Sequence, residues 1–409
     1  MVEEDSHKFA NLSWHAHLQK VSRHQVRFEI RTEGTPEKET TNRTSARCLF
    51  CTKIIKKPQL RGVAMEHGIQ EIPLAVVCKT SSGRIYLPFE ANDIPSIERP
   101  EVTTVEQPIT NDRRWFSPPL YGLPNYSDLF TSRQLVALTT ISDLVAKARE
   151  RVLADASNTG IDNDGKGISS GEAVPAAYAD AVATYLAFAN NRAADYNSAV
   201  ATWRAKDNAM RSSFSKQALP MVWDFAEANP FASSSAGFLD CCNVVAKCIE
   251  FLPANITGAA LQRDARASVE RVNDAIFCTD PPYYDNIGYA DLSDFFYLWL
   301  RRSLSSIYPD LFTTLLVPKR EELIAAPSRF DGNKEAAKRF FEEGFEHVFG
   351  RMRVAQHPDF PLTVYYAFKQ TEDEGGDDIH DEAVVASTGW ETLLEGLIRA
   401  GFTVTGTCD

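Results

Sequence analysis

The chain of 409 residues has no uninterrupted apolar run near the ~18 residues that a membrane-crossing helix requires, so no membrane partner is expected. Its start, Met1 to His7, is acidic where a secretory signal is basic and then apolar, which points to the cytoplasm. Positive charge is in short supply: 43 Lys and Arg stand against 55 Asp and Glu, a formal net charge of -12. That balance excludes attachment to nucleic acid by bulk charge alone, and any contact with DNA or RNA must be local. Metal-ligand spacing is scarce as well. The eight cysteines form one C-x-x-C pair, Cys48 and Cys51, with no second pair to complete a four-ligand zinc site, and the eight histidines are scattered. Two readings of the pair stay open: half of a zinc ribbon with Cys78 or His67 as further ligands, or a tight turn holding reduced thiols. No metal ligands are assigned, no disulfide framework is expected, and no Ser/His/Asp or Cys/His nucleophile arrangement is visible.

What is present is a globular composition, long enough for two or three compact units. Residues 1–97 read as a small β-rich module with the zinc-ribbon remnant. Within it Gln25 to Arg31 alternates apolar and polar side chains, Ile72 to Cys78 is a compact apolar run, and Gly83 to Phe89 follows a Ser-Ser-Gly turn. Residues 98–270 read as a linker followed by a helical region. Six prolines between residues 95 and 124 deny the backbone donors and dihedrals of regular structure. Thr131 and Gln134 then form a capping box ahead of Leu135, Val136, Leu138, Ile141, Leu144 and Val145, spaced for one helical face. A stretch from Ala173 to Ala209 carries 14 alanines, with Val182, Tyr185, Leu186 and Ala189 on one stripe, and reads as helix. Between the two lies the loop Asn158 to Gly171. Asp162 and Asp164 suggest calcium and Gly165, Gly167 and Gly171 a phosphate cradle, but the twelfth position counted from Gly160 is Gly171 and no apolar strand precedes the loop; a surface loop is expected.

Residues 271–409 alternate strands with helices: strands at Val272 to Thr279, Pro361 to Phe368 and Phe402 to Thr407, helices at Asp291 to Leu304, Lys334 to Gln356 and Gly389 to Ala400. That order implies βαβ units on a parallel sheet, so the fold class is α/β. Glu372 to Glu382, with seven acids in eleven residues, reads as a solvated loop.

Directly after the first of these strands comes Asp280-Pro281-Pro282-Tyr283, followed by Tyr284, Asp285, Asn286, Ile287, Gly288 and Tyr289. Ligands of open α/β sheets bind outside the carboxyl ends of strands. Two prolines fix their own φ and remove two donors, which holds the Asp280 carboxylate and the neighbouring carbonyl as a stiff array of acceptors. Such an array suits methylation of an exocyclic amine on a nucleobase. That nitrogen is a poor nucleophile until acceptors take its hydrogens, here Asp280 and the Pro281 carbonyl. The base must leave the stack and rest on a planar wall, a role for Tyr283; stacking on an aromatic ring is worth roughly 1–3 kcal/mol. The acceptor array suits adenine or cytosine, DNA or RNA.

The run TDPPYYDNIGYADLSDFFYLWLRRSL (Thr279 to Leu304), with PKREEL (Pro318 to Leu323), TVYYAFKQ (Thr363 to Gln370), STGWETLL (Ser387 to Leu394), TSRQLVAL (Thr131 to Leu138) and FSKQALPMVWDFAEANPF (Phe214 to Phe231), resembles the zinc-ribbon-containing adenine-specific DNA methylases with an N-terminal domain of unknown function. The resemblance implies a partial Rossmann-like methyltransferase sheet in residues 271–409, S-adenosylmethionine as methyl donor and DNA adenine N6 as acceptor. It places Asp280, Pro281 and Tyr283 in the target-base pocket, with Pro282 keeping the turn rigid and Tyr284, Asp285, Asn286 and Tyr289 as further substrate contacts. It also suggests a role in phage defence. Those enzymes carry a Gly-rich motif of the type DPFxGGG upstream of the ribbon, and nothing in Met1 to Ala46 matches it. The chain therefore reads as an internal segment of a longer enzyme. The expected partners are DNA and either a separately encoded donor-binding half or a defence-system helicase or ATPase. The alternative is a non-catalytic remnant or accessory subunit that binds DNA or protein without a donor site.

Three lesser features carry two readings each. Ser117-Pro118-Pro119-Leu120-Tyr121 reads as linker, Leu120 interrupting the motif it almost spells. Asn229-Pro230-Phe231 reads as the end of a helix or a substrate contact. Lys53, Lys56, Lys57 and Arg61 read as a phosphate-facing cluster or a solvated face, and Arg301 and Arg302 as phosphate contacts or cations at a helix C-terminus.

Overall fold

The computed structural model describes residues 15–22, 25–33, 40–42, 44–81, 83–90, 96–158, 167–168, 174–204, 207–252, 258–267, 274–284, 287–366 and 379–407. Among them the architecture is mixed α/β, with seven α-helices and five two-stranded sheets. Three antiparallel pairs build the N-terminal part: β1 (His15–Ser22) with β2 (Gln25–Arg31), β3 (Ser45–Arg47) with β4 (Ile54–Lys56), and β5 (Ala75–Thr80) with β6 (Gly83–Pro88). The alternating strand Gln25–Arg31 stands where its pattern placed it; the apolar run at Ile72 enters its strand three residues late. Helix α1 (Lys57–His67) carries Pro58 in its first turn, where the missing donor has no helical partner to lose. Two of the four clustered cations sit on it and meet aromatic rings, Lys57 on Trp223 at 5.2 Å and Arg61 on Tyr121 at 5.5 Å.

The proline-rich segment is irregular, as its prolines require, but it is not solvated. Val102, Val105, Ile109, Trp115, Phe116, Tyr121, Tyr126, Leu129 and Phe130 are all buried, and Pro118–Tyr121 forms a short 3₁₀ turn between them. Lack of repeating structure does not imply lack of core. Helix α2 (Ser132–Ser157) opens on the anticipated capping box, Thr131 Oγ1 accepting from Gln134 N at 3.1 Å and Gln134 Oε1 accepting from Thr131 N at 2.9 Å.

Helix α3 (Pro175–Tyr196) ends well before Ala209, and β7 (Trp203–Arg204) and β8 (Ala209–Met210) form a short hairpin instead. Its buried stripe is not the large residues. Ala179, Ala183, Ala187, Ala189, Ala193 and Ala194 are nearly inaccessible, while Val182, Tyr185 and Leu186 are half-buried. Methyl side chains let α2, α4 (Phe238–Glu250) and α5 (Tyr289–Leu304) approach the same helix closely. Of the loop before α3, Gly160, Asp162, Asp164, Gly165 and Gly171 lie outside the described residues. Gly167 and Ile168 rest on buried Asp180, whose Oδ2 accepts from Ile168 N at 3.0 Å and whose Oδ1 pairs with Arg149 at 2.6 Å. The Asn229-Pro230-Phe231 segment follows irregular chain, not a helix, and Asn229 Oδ1 accepts from Phe231 N in a local turn.

In the last third β9 (Cys278–Thr279) and β10 (Thr363–Val364) pair in parallel, joined through α5, a 3₁₀ turn at Pro327–Phe330 and α6 (Lys334–Ala355); α7 (Ile379–Arg399) follows. The pairing is made by Thr363 N to Phe277 O and Tyr365 N to Thr279 O. Phe402 to Thr407 forms no strand, which corrects that expectation, and Val272 and Asn273 and the acids from Glu372 to Asp378 lie outside the described residues. Among the described residues the parallel sheet has these two strands alone. No helix among them is long and apolar enough to cross a membrane.

Two cores flank this pair. The larger takes residues from the proline-rich segment, α2, α3, α4 and α5, with Phe295, Leu298 and Trp299 at its centre. Phe130 stacks on Phe295 at 5.6 Å and meets Trp299 edge-on at 5.3 Å. The smaller joins Phe341, Phe345 and Phe349 of α6 to Leu393 and Leu397 of α7.

Candidate functional site

The Asp280-to-Tyr283 turn leaves the carboxyl end of β9 and lies between the two cores. Extended backbone sends successive side chains to opposite sides, and the paired tyrosines follow that rule. Tyr283 leans on the larger core, and Tyr284 packs edge-on against Phe341 in the smaller, centroids 5.0 Å apart. Tyr284 is thus a structural anchor facing α6, with its carbonyl accepting from Ala325 N and its amide donating to Tyr366 Oη at 3.3 Å. Tyr283 meets Tyr366 at 5.4 Å and Tyr289 at 6.4 Å, both edge-on, so three phenols surround the turn. Asp280 is exposed; Pro281 and Pro282 are half-buried. Asp285 and Asn286 lie outside the described residues.

Tyr289 opens α5. Burial pushes its hydroxyl up to about 12, the charges of Tyr283 and Asp280 adding to the shift and a Tyr283 backbone hydrogen bond opposing it. It therefore stays a neutral hydroxyl beside Asp280 at physiological pH. Burial likewise raises Tyr366 above the ordinary phenol value.

The helix that carries Tyr289 is held by a buried ionic network that the strand and helix pattern did not reveal. Asp291, 2% exposed, receives Arg329 Nη2 at 2.8 Å and Thr110 Oγ1 at 2.7 Å. Arg329 also reaches Glu322 Oε2 at 2.5 Å, and Glu322 Oε1 accepts from Ala290 N at 2.9 Å in the first turn of α5. One turn on, fully buried Asp294 pairs with Lys319 at 2.7 Å and accepts from Val317 N at 2.8 Å. The Pro318 to Leu323 segment, noted above only as part of a resemblance, is a clamp on α5. Asp-x-x-Asp at helical spacing facing an apolar core was the available signal.

Burial raises the Asp294 carboxyl above its ordinary value of 3.8, with Lys319 pulling the other way. A raised folded-state value means the native state binds the proton more tightly than the unfolded chain, so this residue's contribution to stability falls as pH rises through that window. In Asp294→Asn this part of the pH dependence should vanish. Urea midpoints of both proteins, followed from mildly acidic to neutral pH, check the difference; parallel curves would contradict it.

Gly288 caps α5, and a Cβ built on it would lie 2.3 Å from Trp115 Cζ3. The indole occupies the space a side chain would need. Gly288→Ala should cost roughly 1–3 kcal/mol by overpacking, read as a lower thermal midpoint, and Trp115→Leu in the same chain should recover part of it. The glycine also bears on the methyl donor. An adenosyl group needs glycines that leave open space where strand passes into helix, and in the β9–α5 connection Trp115 already fills that space. At Gly288, then, the β9–α5 connection leaves no such space.

Beside Tyr289 is an open cleft of about 760 Å³, lined by Phe214, Ser215, Lys216 and Gln217 on one side and by Ile287, Tyr289, Leu292, Ser293 and Phe296 on the other. Nothing in the spacing of Phe214 to Gln217 signals that the fold brings it to Tyr289. Cys48 and Cys51 lie at the turn between β3 and β4, Cys78 is on β5 and His67 ends α1; no group of three or more His, Cys, Asp or Glu side chains able to hold a metal occurs among the described residues. Arg302 pairs with Asp143 at 2.8 Å on α2, so it staples two helices. Comparison of the chain with protein-family models, with curated proteins and with solved structures finds no match.

Proposed function

We propose that the chain is the target-base half of an amino-methyltransferase acting on adenine in DNA. The observation that carries this reading is the Asp280-Pro281-Pro282-Tyr283 segment at the end of a parallel strand, with an exposed carboxylate and a ring braced by Tyr289 and Tyr366. In this reading the Asp280 carboxylate and the Pro281 carbonyl accept the two hydrogens of the exocyclic amine. The nitrogen lone pair is thereby turned out of the ring plane toward the electrophile. The ring of Tyr283 lies against the flipped base, and the neutral hydroxyl of Tyr289 sits beside the carboxylate. The proton lost by the amine passes to Asp280 or to water. The wider Rossmann-like sheet and the donor site belong, in the same reading, to a partner polypeptide.

Depletion and add-back tests it. A host extract that transfers labelled methyl from S-adenosylmethionine to DNA is stripped of this chain with antibody and restored with purified protein. Recovery with wild-type chain and not with Asp280→Ala supports the reading; no loss on depletion overturns it.

A second reading, a non-catalytic DNA-binding accessory, is favoured by one observation, the filled space at Gly288. It differs in the same experiment, because Asp280→Ala would then restore activity as well as wild type.

A further inference from the structure

We infer that the cleft between Phe214–Gln217 and the first turns of α5 binds the single strand that adjoins the flipped base, with Lys216 on a backbone phosphate and an unstacked neighbouring base on the aromatic floor; this rests on the methyltransferase reading. Location argues first. Tyr289 is at once a wall of the cleft and the neighbour of Tyr283, so the cleft starts one ring away from the target-base turn. Its floor is Phe214 and Phe296, tilted at 33° with centroids 4.9 Å apart, together with Ile287 and Leu292. Aromatic floors beside a cationic rim are how single strands are held without sequence readout. The rim offers Ser215, Gln217 and Ser293 as hydrogen-bonding groups.

Charge decides the ligand class. A chain with 55 acids places none of them among the nine residues lining this cleft, and places one lysine there. Lys216 is exposed and has no acidic partner among the described residues. A net positive cleft on a protein of charge -12 is the local cation that a polyanion needs. The size suits a nucleotide and its flanking phosphate, since small-ligand clefts span ~300–1,000 Å³.

The test is fluorescence anisotropy of the full chain with a short labelled single-stranded oligodeoxynucleotide containing one adenine, across a range of salt. Lys216→Glu should weaken binding about tenfold or more and lower the salt slope by about 0.7, the share of one phosphate on a single strand. Ser293→Trp, which fills the cleft from an exposed position on α5, should weaken it comparably. Lys338→Glu makes the same charge change on α6 and should stay within about twofold of wild type; thermal melts confirm that each variant is folded. The proposal is overturned by no wild-type binding, by equal weakening in Lys216→Glu and Lys338→Glu, or by Lys216→Glu and Ser293→Trp binding as wild type. Deoxyadenosine monophosphate serves as a second probe. If it binds as tightly as the oligonucleotide, the site is for a free nucleotide and the strand proposal falls. The two failures are separable: unchanged oligonucleotide binding in Lys216→Glu sinks the cleft alone, and full methyl transfer by Asp280→Ala sinks the methyltransferase reading alone.

Discussion

Replacing Asp280 by alanine is expected to lower methyl transfer in the add-back assay by about 10²- to 10³-fold, the cost of removing one preorganised polar partner from a reacting group. The carboxylate is exposed and its backbone stands at the end of β9, so no buried partner is orphaned and the thermal midpoint should barely move. That combination separates chemistry from folding. Asp280→Asn keeps one acceptor oxygen but loses the charge that stabilises the nitrogen as it becomes positive, and should fall between alanine and wild type. A drop in activity matched by a drop in stability would instead make Asp280 a structural residue. Activity within about twofold of wild type would remove it from the reaction.

Much of the helical content was legible because its signals are local. The Thr131/Gln134 capping box names the start of α2 to the residue, and the apolar spacing of Phe295, Leu298 and Trp299 marks the buried face of α5. That the irregular proline-rich segment is buried was not legible, for a physical reason. Proline reports on backbone geometry, whereas burial of Trp115, Phe116 and Tyr126 depends on partners far along the chain, such as the Asp291 carbonyl that accepts from Tyr126 Oη at 3.0 Å. Alanine stripes mislead in a similar way. In α3 the small residues face the core because three helices crowd it, and hydrophobic periodicity weighs large side chains more heavily.

At the site, the motif residues were legible and their support was not. Asp280 to Tyr283 announces itself by composition, yet Tyr366, which meets Tyr283, and Glu322 and Arg329, which hold the first turn of α5, come from distant parts of the chain.

 Tyr366 meets the Tyr284 amide across 82 positions of chain, and Glu322 meets the Ala290 amide across 32. Contacts of that span leave no periodic trace, since each rests on one side chain arriving from another element.

The largest loss of stability is expected from Arg329→Ala. The guanidinium joins Asp291, Glu322 and the Lys319 carbonyl, the last at 2.9 Å, and these groups lie beside the first turn of α5. Asp291 and Glu322 are 2% and 13% exposed, so removing the cation leaves two carboxylates facing one another with little water to screen them. Breaking such a buried arrangement from one side costs about 3–5 kcal/mol. Arg329→Lys should recover only part, because a single ammonium cannot reproduce a planar fork that spans two acids and a carbonyl. Arg329→Ala combined with Asp291→Asn should be more stable than Arg329→Ala alone, since the second change removes one of the stranded charges. Urea unfolding of the three variants reads this directly as shifts in midpoint at constant slope. A loss below about 1 kcal/mol in Arg329→Ala, or no recovery with Asp291→Asn, would show that the network is not what holds α5. The site should feel the same change. Glu322, released from Arg329, no longer fixes the Ala290 amide, so the turn bearing Tyr289 loosens and the brace on Tyr283 goes with it. Oligonucleotide binding and methyl transfer should therefore fall together in Arg329→Ala under conditions where the protein is still folded, whereas Asp280→Ala affects transfer alone.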